Sequence, residues 1–311
     1  MNVAVIDCGT NSTRLLIVDA NGDTLVREMT ITRLGQDLGR TGVLHPDALG
    51  RVYACLIRYR ELMDQHGVSH GRLVATSAAR DAANGAEFLA TCRTITGIEP
   101  VLLSGNEEAW ASYLGATADL PPSVTRPMII DIGGGSTELA FREGRELVAH
   151  SMQLGCVRVT EAHLGRDAVS ATMIANAQVM IDAEIQRLFR EEPKFESARG
   201  AVNLVGLAGT IATLAQLDVG LREYRREVVH HHVLTRDVVE RWIDVLAGES
   251  ATERLSHPGM VEGREDVLLG GLLVLRSVMH EFGVSSLLSS ECDILDGVAA
   301  QLQGRVPREL S

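Results

Sequence analysis

The sequence predicts an α/β protein with two related domains, and three observations lead to this prediction. Short apolar segments of strand length alternate with longer segments whose apolar residues recur at helical spacing. One strand-turn-strand pattern near the start of the chain recurs near its middle. A polar segment over residues 119–127, which contains three prolines, is the best candidate for a linker between the two halves.

The first half is expected to combine short strands with one long helix. Apolar runs next to turn-forming residues predict strands at 3–6, 15–18, 25–31, 73–75 and within 97–103. Pro46 suits the first turn of a helix, because its missing N–H would have no partner there. Apolar residues from Leu49 to Leu62 then follow one helical face, which predicts an amphipathic helix.

The second half repeats this alternation of strands and helices. Strands are predicted at 128–130, 139–141 and 202–207. Helical periodicity dominates at 156–189, 235–246 and 266–282.

The recurring pattern is the most informative feature of the sequence. Residues 6–15 and 130–139 align without a gap, and Asp, Gly, Ser, Thr and Leu coincide in the two copies. Each copy follows a short apolar strand and precedes another. The alternative is two unrelated hairpins that share turn composition, since Gly, Asn and Ser suit any tight turn.

Both repeated turns have the chemistry of a phosphate site. Glycine lets the backbone approach an anion, and successive N–H groups form a concave nest for phosphate oxygens. The predicted phosphate-binding residues are Gly9, Thr10, Asn11 and Ser12 in the first turn, and Gly133, Gly134, Gly135 and Ser136 in the second. The aspartate before each turn, Asp7 or Asp131, is a hard oxygen ligand suited to Mg²⁺ or Mn²⁺. Neither turn matches a Walker A or dinucleotide-binding fingerprint.

A third glycine turn, from Gly206 to Thr210, follows the strand at 202–207 and opens a helix. Gly209 and Thr210 are candidates for phosphate binding, because helix N-termini favour anions. Close packing of the strand against the helix explains the same glycines equally well.

One acidic residue is a candidate general base. Ser104 at an N-cap and Glu107 three residues later predict a capping box, which gives Glu107 a structural role. Glu108 lies about 100° further round the helix and is not needed by that cap. Its carboxylate is suited to orient a water molecule for attack on a phosphoanhydride. Spacing alone favours the alternative, in which Glu108 only interacts with the helix dipole.

Three further polar clusters have simpler explanations. A solvated turn explains the His230–His232 run better than a metal site, which needs three or four ligands. Arg222, Arg225 and Arg226 either line a channel for a polyanion or coat a helix. Arg264 and Asp266 are expected to open a helix, with Asp266 near its positive end.

The composition limits the class of function. A chain of 311 residues is long enough for two cores, and its net charge of −12 argues against non-specific nucleic-acid binding. An anionic substrate is compatible with that charge, because a cleft can be locally positive. Five scattered cysteines indicate reduced thiols, and no secretory signal or apolar run of membrane-spanning length is seen. We expect a cytoplasmic protein that binds neither nucleic acid nor membrane.

Taken together, these motifs resemble the exopolyphosphatase/guanosine pentaphosphate phosphohydrolase (Ppx/GppA) family. The matching segments occur in family order at 7–12, 76–80, 104–109, 131–138 and 206–210. The pair Ser-Gly-Asn-Glu-Glu-Ala at 104–109 and Asp-Ile-Gly-Gly-Gly-Ser-Thr-Glu at 131–138 is highly specific. In length the chain is similar to the short members, which lack the further C-terminal helical domains of the long ones.

The resemblance implies a fold and a domain organisation. The family has two actin-like (RNase H-like) domains, with mixed five-stranded sheets flanked by helices and an active-site cleft between them. In such folds the last helix usually returns to the first domain. We therefore expect domain I at 1–119 plus about 296–311, and domain II at 120–295. A homodimer is a further expectation from the family.

The resemblance also implies roles for individual residues. Glu108 matches the glutamate that activates water, and Asp131 and Glu138 match acidic positions tied to the metal. Asp7 belongs with the first phosphate loop. Arg80 matches an arginine of the cleft that would hold phosphate in a bidentate grip, and the alternative is a surface cation beside Asp81.

The resulting hypothesis is a metal-dependent exopolyphosphatase that removes the terminal phosphate of inorganic polyphosphate. An alternative is a hydrolase that removes the 5′-phosphate of guanosine pentaphosphate (pppGpp). More distant alternatives are a small-molecule kinase, which would need ATP and an acceptor, and a polyphosphate-binding protein without activity. Mere binding would not require Glu108.

Overall fold

The computed structural model describes residues 1–165 and 167–306, which divide into two compact units. The first unit comprises residues 1–115 and the chain from Cys292 onward, and the second comprises residues 116–291. The sequence predicted domain boundaries after residues 119 and 295. The structure places them after residues 115 and 291, which is four residues earlier in each case. Residues 307–311 of the expected domain I lie outside the described residues.

The first unit contains a mixed five-stranded sheet with the strand order β3-β2-β1-β4-β5. Its strands are β1 (Val3–Cys8), β2 (Ser12–Val18), β3 (Thr24–Ile31), β4 (His70–Ala75) and β5 (Pro100–Leu102). Its helices are α1 (Leu38–Thr41), α2 (Pro46–Gln65), α3 (Ser77–Asp81), α4 (Gly85–Thr96), α5 (Gly105–Ala116) and, from the end of the chain, α13 (Ile294–Leu302). The strands β1, β4 and β5 are parallel, so their carboxyl ends lie at the same edge of the sheet.

Apolar side chains cover both faces of this sheet. All six residues of β1 are buried, as expected for a central strand with helices on both sides. On one face Ala4 and Ile6 join a core with residues of α2 and α4, such as Leu56 and Phe88. On the other face Val3, Val5, Leu16 and Val18 pack with residues of α5 and α13, such as Ala111, Leu295 and Val298. The last helix therefore completes the first core, as expected.

The second unit contains a mixed six-stranded sheet with the strand order β10-β11-β9-β6-β7-β8. Its strands are β6 (Pro127–Ile132), β7 (Thr137–Glu143), β8 (Glu146–Met152), β9 (Asn203–Leu207), β10 (Val233–Thr235) and β11 (Ser286–Ser289). Its helices are α6 (Cys156–Val159), a π-helix (Thr160–Leu164), α7 (Ala171–Glu191), a 3₁₀ helix (Pro193–Ala198), α8 (Ala208–Val219), α9 (Arg226–Val229), α10 (Arg236–Ala247), α11 (Ala251–Arg254) and α12 (Leu268–Glu281).

Two structural predictions for this unit were wrong in detail. The sheet has six strands and not five, because the short strand β10 adds to β11 in antiparallel fashion at the edge. The predicted helix at 156–189 is broken after Leu164, where Gly165 adopts a positive φ of 68°, and it resumes at Ala171 with Ser170 as N-cap. The other predicted strands and helices are confirmed within a few residues of their ends.

The α/β class with two mixed sheets is confirmed. In both units an antiparallel hairpin, β1–β2 or β6–β7, lies beside a parallel strand, β4 or β9. The repeated sequence therefore occupies the same place in each sheet. Within the described residues, no helix combines the length and apolar character that crossing a bilayer requires.

Candidate functional sites

The first glycine loop joins β1 to β2 and lies beside the Asp7 side chain. The N–H of Gly9 donates to the carbonyl oxygen of Ser12 at 3.0 Å. A Cβ at Gly9 would stand 3.1 Å from that oxygen and 3.7 Å from Asp7 Oδ2, so the turn needs glycine at this close approach. Thr10 and Asn11 are buried, and Asn11 Nδ2 has no hydrogen-bond partner among the described residues. Because an unpaired buried donor is costly, this amide is suited to bind an oxygen such as that of phosphate.

The second glycine loop has the same turn geometry. The N–H of Gly133 donates to the carbonyl oxygen of Ser136 at 3.0 Å, and a Cβ at Gly133 would stand 3.1 Å from that oxygen. Arg158 of α6 donates from Nε to the carbonyl oxygen of Gly135 at 2.8 Å. The N–H of Val157 donates to the carbonyl oxygen of Gly134 at 2.9 Å. The sequence repeat is thus also a repeat of structure, and α6 fixes its second copy.

The acidic residues of the two hairpins face different partners. In the first unit Asp7 pairs in register with Arg14, whereas in the second Asp131 pairs with Glu138. Side chains directly opposite each other on an antiparallel pair lie on the same face, about 4.5–5.5 Å apart at Cβ. Asp131 and Glu138 are both buried, and Glu138 accepts a hydrogen bond from Ser151 Oγ at 2.7 Å. Two carboxylates on the same face of a hairpin offer the hard oxygen ligands that Mg²⁺ or Mn²⁺ prefers.

Arg14 binds only one of the two oxygens of Asp7. Its Nε and Nη2 donate to Asp7 Oδ2 at 3.0 and 2.7 Å. Asp7 Oδ1 is buried and has no hydrogen-bond partner among the described residues. Burial raises the pKa of Asp7 above its ordinary value, although the Arg14 guanidinium acts in the opposite direction.

Arg80 and Glu108 lie together at the carboxyl ends of β4 and β5. Arg80 Nη1 donates to the carbonyl oxygen of Leu103 at 2.6 Å and lies 3.6 Å from Glu108 Oε2. Both side chains are largely buried, so Arg80 is not a surface cation beside Asp81. Arg80 Nη2 is buried without a hydrogen-bond partner among the described residues, so it too is suited to bind an acceptor.

The neighbouring acid has the structural role predicted for it. Glu107 Oε2 accepts hydrogen bonds from both the N–H and the hydroxyl of Ser104 at 2.7 Å. The N–H of Glu107 donates to Ser104 Oγ at 3.3 Å, which completes the capping box. These hydrogen bonds lower the pKa of Glu107. Glu108, one residue on, takes no part in this cap.

At the third glycine turn the two glycines face different neighbours. A Cβ at Gly206 would meet side-chain atoms of Leu287 and Ile211 within 3.0 Å, so this glycine permits close strand-helix packing. A Cβ at Gly209 would instead lie within 2.0 Å of the guanidinium of Arg264. Gly209 therefore makes room for a buried cation at the start of α8, beside the buried Thr210.

Arg264 is a residue whose place the sequence did not predict. It was expected to open a helix, but α12 begins only at Leu268, and both Arg264 and Asp266 are buried in the preceding turn. Asp266 lies two residues before the first residue of α12, near the positive end of that helix, as expected. No local pattern indicates the contact with Gly209, because the two segments meet only in the folded unit.

The His230–His232 run forms a turn, as expected, but a half-buried one. His230 Nδ1 accepts from the N–H of Glu291 at 3.0 Å, so its Nε2 carries the proton and donates to Asp119 Oδ2 at 3.0 Å. Of the three arginines, only Arg226 belongs to a helix, α9, so the explanation that all three coat one helix is wrong.

The predicted site residues thus form two groups, one in each unit. In the first unit Asp7, the 9–12 loop, Arg80 and Glu108 lie at the carboxyl-terminal edge of β1, β4 and β5. In the second unit the 133–136 loop and Gly209 follow the adjacent parallel strands β6 and β9, which pair Asp131 with Leu207. Ligands of open α/β sheets bind outside the carboxyl ends of the strands. The fold and these residues define a duplicated α/β protein with two acidic, glycine-rich loops.

Comparisons with known proteins agree with this description. Residues 10–305 match the model of the Ppx/GppA phosphatase family. The chain is 36% identical over 319 residues to "Exopolyphosphatase 2" of Mycobacterium tuberculosis, covering 97% of this chain and 98% of the relative. It is 27% identical to "Guanosine-5'-triphosphate,3'-diphosphate pyrophosphatase" of Vibrio cholerae serotype O1, covering 96% of this chain and 59% of that one.

A solved structure extends the similarity to the fold. The crystal structure of an exopolyphosphatase from Cytophaga hutchinsonii superposes with a TM-score of 0.88 at 25% identity, covering 99% of both chains. The chain belongs to the Ppx/GppA phosphatase family.

Proposed function

We propose that the protein is an exopolyphosphatase, a phosphoanhydride hydrolase that removes the terminal phosphate of inorganic polyphosphate. Full-length similarity to a protein named exopolyphosphatase supports this activity. The observation that carries the mechanism is the pair formed by Arg80 and Glu108. A carboxylate that the helix cap does not use lies 3.6 Å from a guanidinium with an unpartnered, buried Nη2.

The proposed reaction is an in-line displacement by water. Glu108 accepts a proton from water while the water oxygen bonds to the terminal phosphorus and the bridging P–O bond breaks. The bridging oxygen keeps the electron pair and leaves with the shortened chain. In the first unit, Arg80 Nη2, Asn11 Nδ2 and the N–H groups of the 9–12 loop other than that of Gly9 are proposed to donate to phosphate oxygens. In the second unit, the N–H groups of the 133–136 loop other than that of Gly133, and those of Gly209 and Thr210, are proposed to do the same.

The acidic residues suit a divalent cation, Mg²⁺ or Mn²⁺. In the second unit, Asp131 and Glu138 lie on the same face of the β6–β7 hairpin and offer the hard carboxylate oxygens that such an ion prefers. In the first unit, Asp7 offers Oδ1, because Arg14 binds the other oxygen. When bound, such an ion neutralises charge on the phosphate oxygens. A requirement for it, a cytoplasmic location and a homodimer are further parts of this proposal.

The test replaces each of two neighbouring glutamates by glutamine and measures phosphate release from polyphosphate with Mg²⁺. Glu108→Gln should reduce kcat by about 10²–10⁴-fold while binding persists, because the general base is lost. Glu107→Gln is the matched control, since glutamine also forms a capping box. Near-normal turnover by Glu108→Gln would remove this residue from the mechanism.

A second candidate activity is removal of the 5′-phosphate of pppGpp. The similarity to the Vibrio cholerae relative favours it as a related activity. A competition assay, in which polyphosphate and pppGpp are offered together, separates the two by their ratio of kcat/KM.

A further inference from the structure

We propose that Asp293, at the start of the last helix, is a positioning residue for Asp7 and acts on it through Arg14. Asp293 lies far from Asp7 in sequence but within the same unit. Arg14 Nη1 donates to Asp293 Oδ2, while its Nε and Nη2 donate to Asp7 Oδ2. The guanidinium is thus shared between two buried carboxylates. This inference rests on the proposed role of Asp7 as a ligand of the divalent cation.

The sharing determines which oxygen of Asp7 is available. Arg14 contacts Asp7 through Oδ2, and Oδ1 is left buried without a hydrogen-bond partner among the described residues. A guanidinium that faced Asp7 alone would bind both carboxylate oxygens, since this bidentate geometry is the preferred one. The Asp293 carboxylate binds the opposite end of the guanidinium and fixes its orientation, with both Nε and Nη2 on Oδ2 of Asp7, which leaves Oδ1 open for a cation.

Asp293 is itself held in place by the helix that it caps. Its Oδ1 accepts from the N–H of Leu295 at 2.9 Å, and its own N–H donates to Asp296 Oδ2 at 2.8 Å. Only Oδ2 therefore faces Arg14. Asp296 uses its remaining oxygen, Oδ1, to bind Arg27 of β3. The start of α13 is thereby tied by two ion pairs to two neighbouring strands.

The charges around Asp293 favour its ionised form. Burial acts to raise the pKa of Asp293, but Arg14, Arg27 and the hydrogen bond from Leu295 together keep it below the ordinary value. Asp293 therefore stays charged as a partner for Arg14.

The experiment compares two aspartates of the same capping box. Asp293→Asn keeps an N-cap, because asparagine caps helices as well as aspartate does, but it removes the charge facing Arg14. Asp296→Asn removes the charge facing Arg27 and leaves Arg14 untouched. The affinity for Mg²⁺ is measured by the rise in thermal unfolding temperature as Mg²⁺ alone is titrated, and for Mn²⁺ by the loss of its free electron-spin-resonance signal.

Asp293→Asn should weaken binding of both ions by about tenfold or more, which is typical for loss of a partner of a ligand. Asp296→Asn should leave the midpoints within about twofold of wild type. Asp293→Ser, which also keeps a cap without the charge, is the second variant. Unchanged midpoints in a folded Asp293 variant, or equal losses in the Asp293 and Asp296 variants, would overturn the proposal.

Because the readout is ion binding, its result is independent of turnover. If the protein had no exopolyphosphatase activity but Asp293→Asn still weakened its affinity for Mg²⁺, the proposed function would be contradicted and the positioning role would not. An active enzyme whose Mg²⁺ midpoint is unchanged in Asp293→Asn would contradict the positioning role alone.

Discussion

Two adjacent glutamates at the start of α5 have different surroundings. Glu107 is committed to the cap with Ser104, and Glu108 turns about 100° away towards Arg80. The sequence predicted the cap, because a capping box is a local pattern with fixed spacing. It did not predict from spacing alone that Glu108 would be buried beside a cation, because Arg80 is brought there by the parallel strand β4.

Arg80 is expected to contribute through its shape as well as its charge. Arg80→Lys keeps one positive charge but loses the second Nη donor, so one end cannot contact Leu103 while the other binds phosphate. We expect kcat/KM for polyphosphate to fall by about tenfold or more, equivalent to ~1.4 kcal/mol of transition-state stabilisation. Steady-state kinetics with separate kcat and KM values provide the measurement.

Arg60→Lys is the matched control for that substitution. Arg60 also donates to a carbonyl oxygen, that of Thr96 at 2.9 Å, and also pairs with a carboxylate, that of Asp64. It lies in α2 and is not one of the predicted site residues. Equal losses of activity in the two variants would show that Arg80 has only a structural role.

At the scale of helices and strands, the elements that the sequence predicted are those fixed by local patterns. The hairpins β1–β2 and β6–β7 follow from apolar runs on either side of a glycine turn. The strands β8, β10 and β11 were not predicted, because their partly exposed residues carry a weaker apolar signal. The break after Leu164 is a further miss, because apolar residues on both sides continue a helical period.

Close contact between α5 and α13 depends on two glycines. A Cβ at Gly297 would lie 2.0 Å from the carbonyl oxygen of Ala111, and one at Gly115 would lie 1.9 Å from that of Asp293. Gly297→Ala should therefore force the two helices apart and destabilise the protein by about 1–3 kcal/mol or more. Chemical denaturation gives the change in the free energy of unfolding.

Gly50→Ala is the opposite case in a helix interior. Apart from the backbone of its own helix, no heavy atom of the described residues lies within 4 Å of a Cβ at Gly50 of α2, so alanine should stabilise the protein by about 0.5–1 kcal/mol through its better helix propensity. If Gly297→Ala were also neutral or stabilising, the close approach of the two helices would be contradicted.

For the whole molecule, the chain passes between the two units twice, near residues 115 and 291. Within the second unit, His230 forms hydrogen bonds with one residue near each of these two points, Asp119 near the first and Glu291 near the second. Burial lowers the pKa of His230 below its ordinary value of 6.5, with Asp119 acting in the opposite direction. Protonation would also place a second proton on Nδ1, against the N–H of Glu291.

The lowered pKa of His230 determines how the stability of the protein depends on pH. Below about pH 6.5 the unfolded chain binds a proton at this position before the native protein does, so native stability falls as pH drops towards the lowered pKa. His230→Asn, whose amide oxygen can still accept from Glu291, should flatten this decline in melting temperature between pH 8 and pH 5.5. His70→Asn, which replaces an exposed histidine, serves as the control. If the melting temperature declined as steeply in His230→Asn as in wild type, the assignment of this decline to His230 would be contradicted.

The position of α13 also bears on how the protein folds during synthesis. The apolar residues of β1 and β2 that α13 covers leave the ribosome before the second unit, whereas α13 itself leaves after the second unit. A nascent chain therefore carries an uncovered sheet face while the whole second unit is being made. We infer that the second unit, which is continuous in sequence, reaches its native state first, and that the first core is completed only when α13 has followed the second unit out of the ribosome.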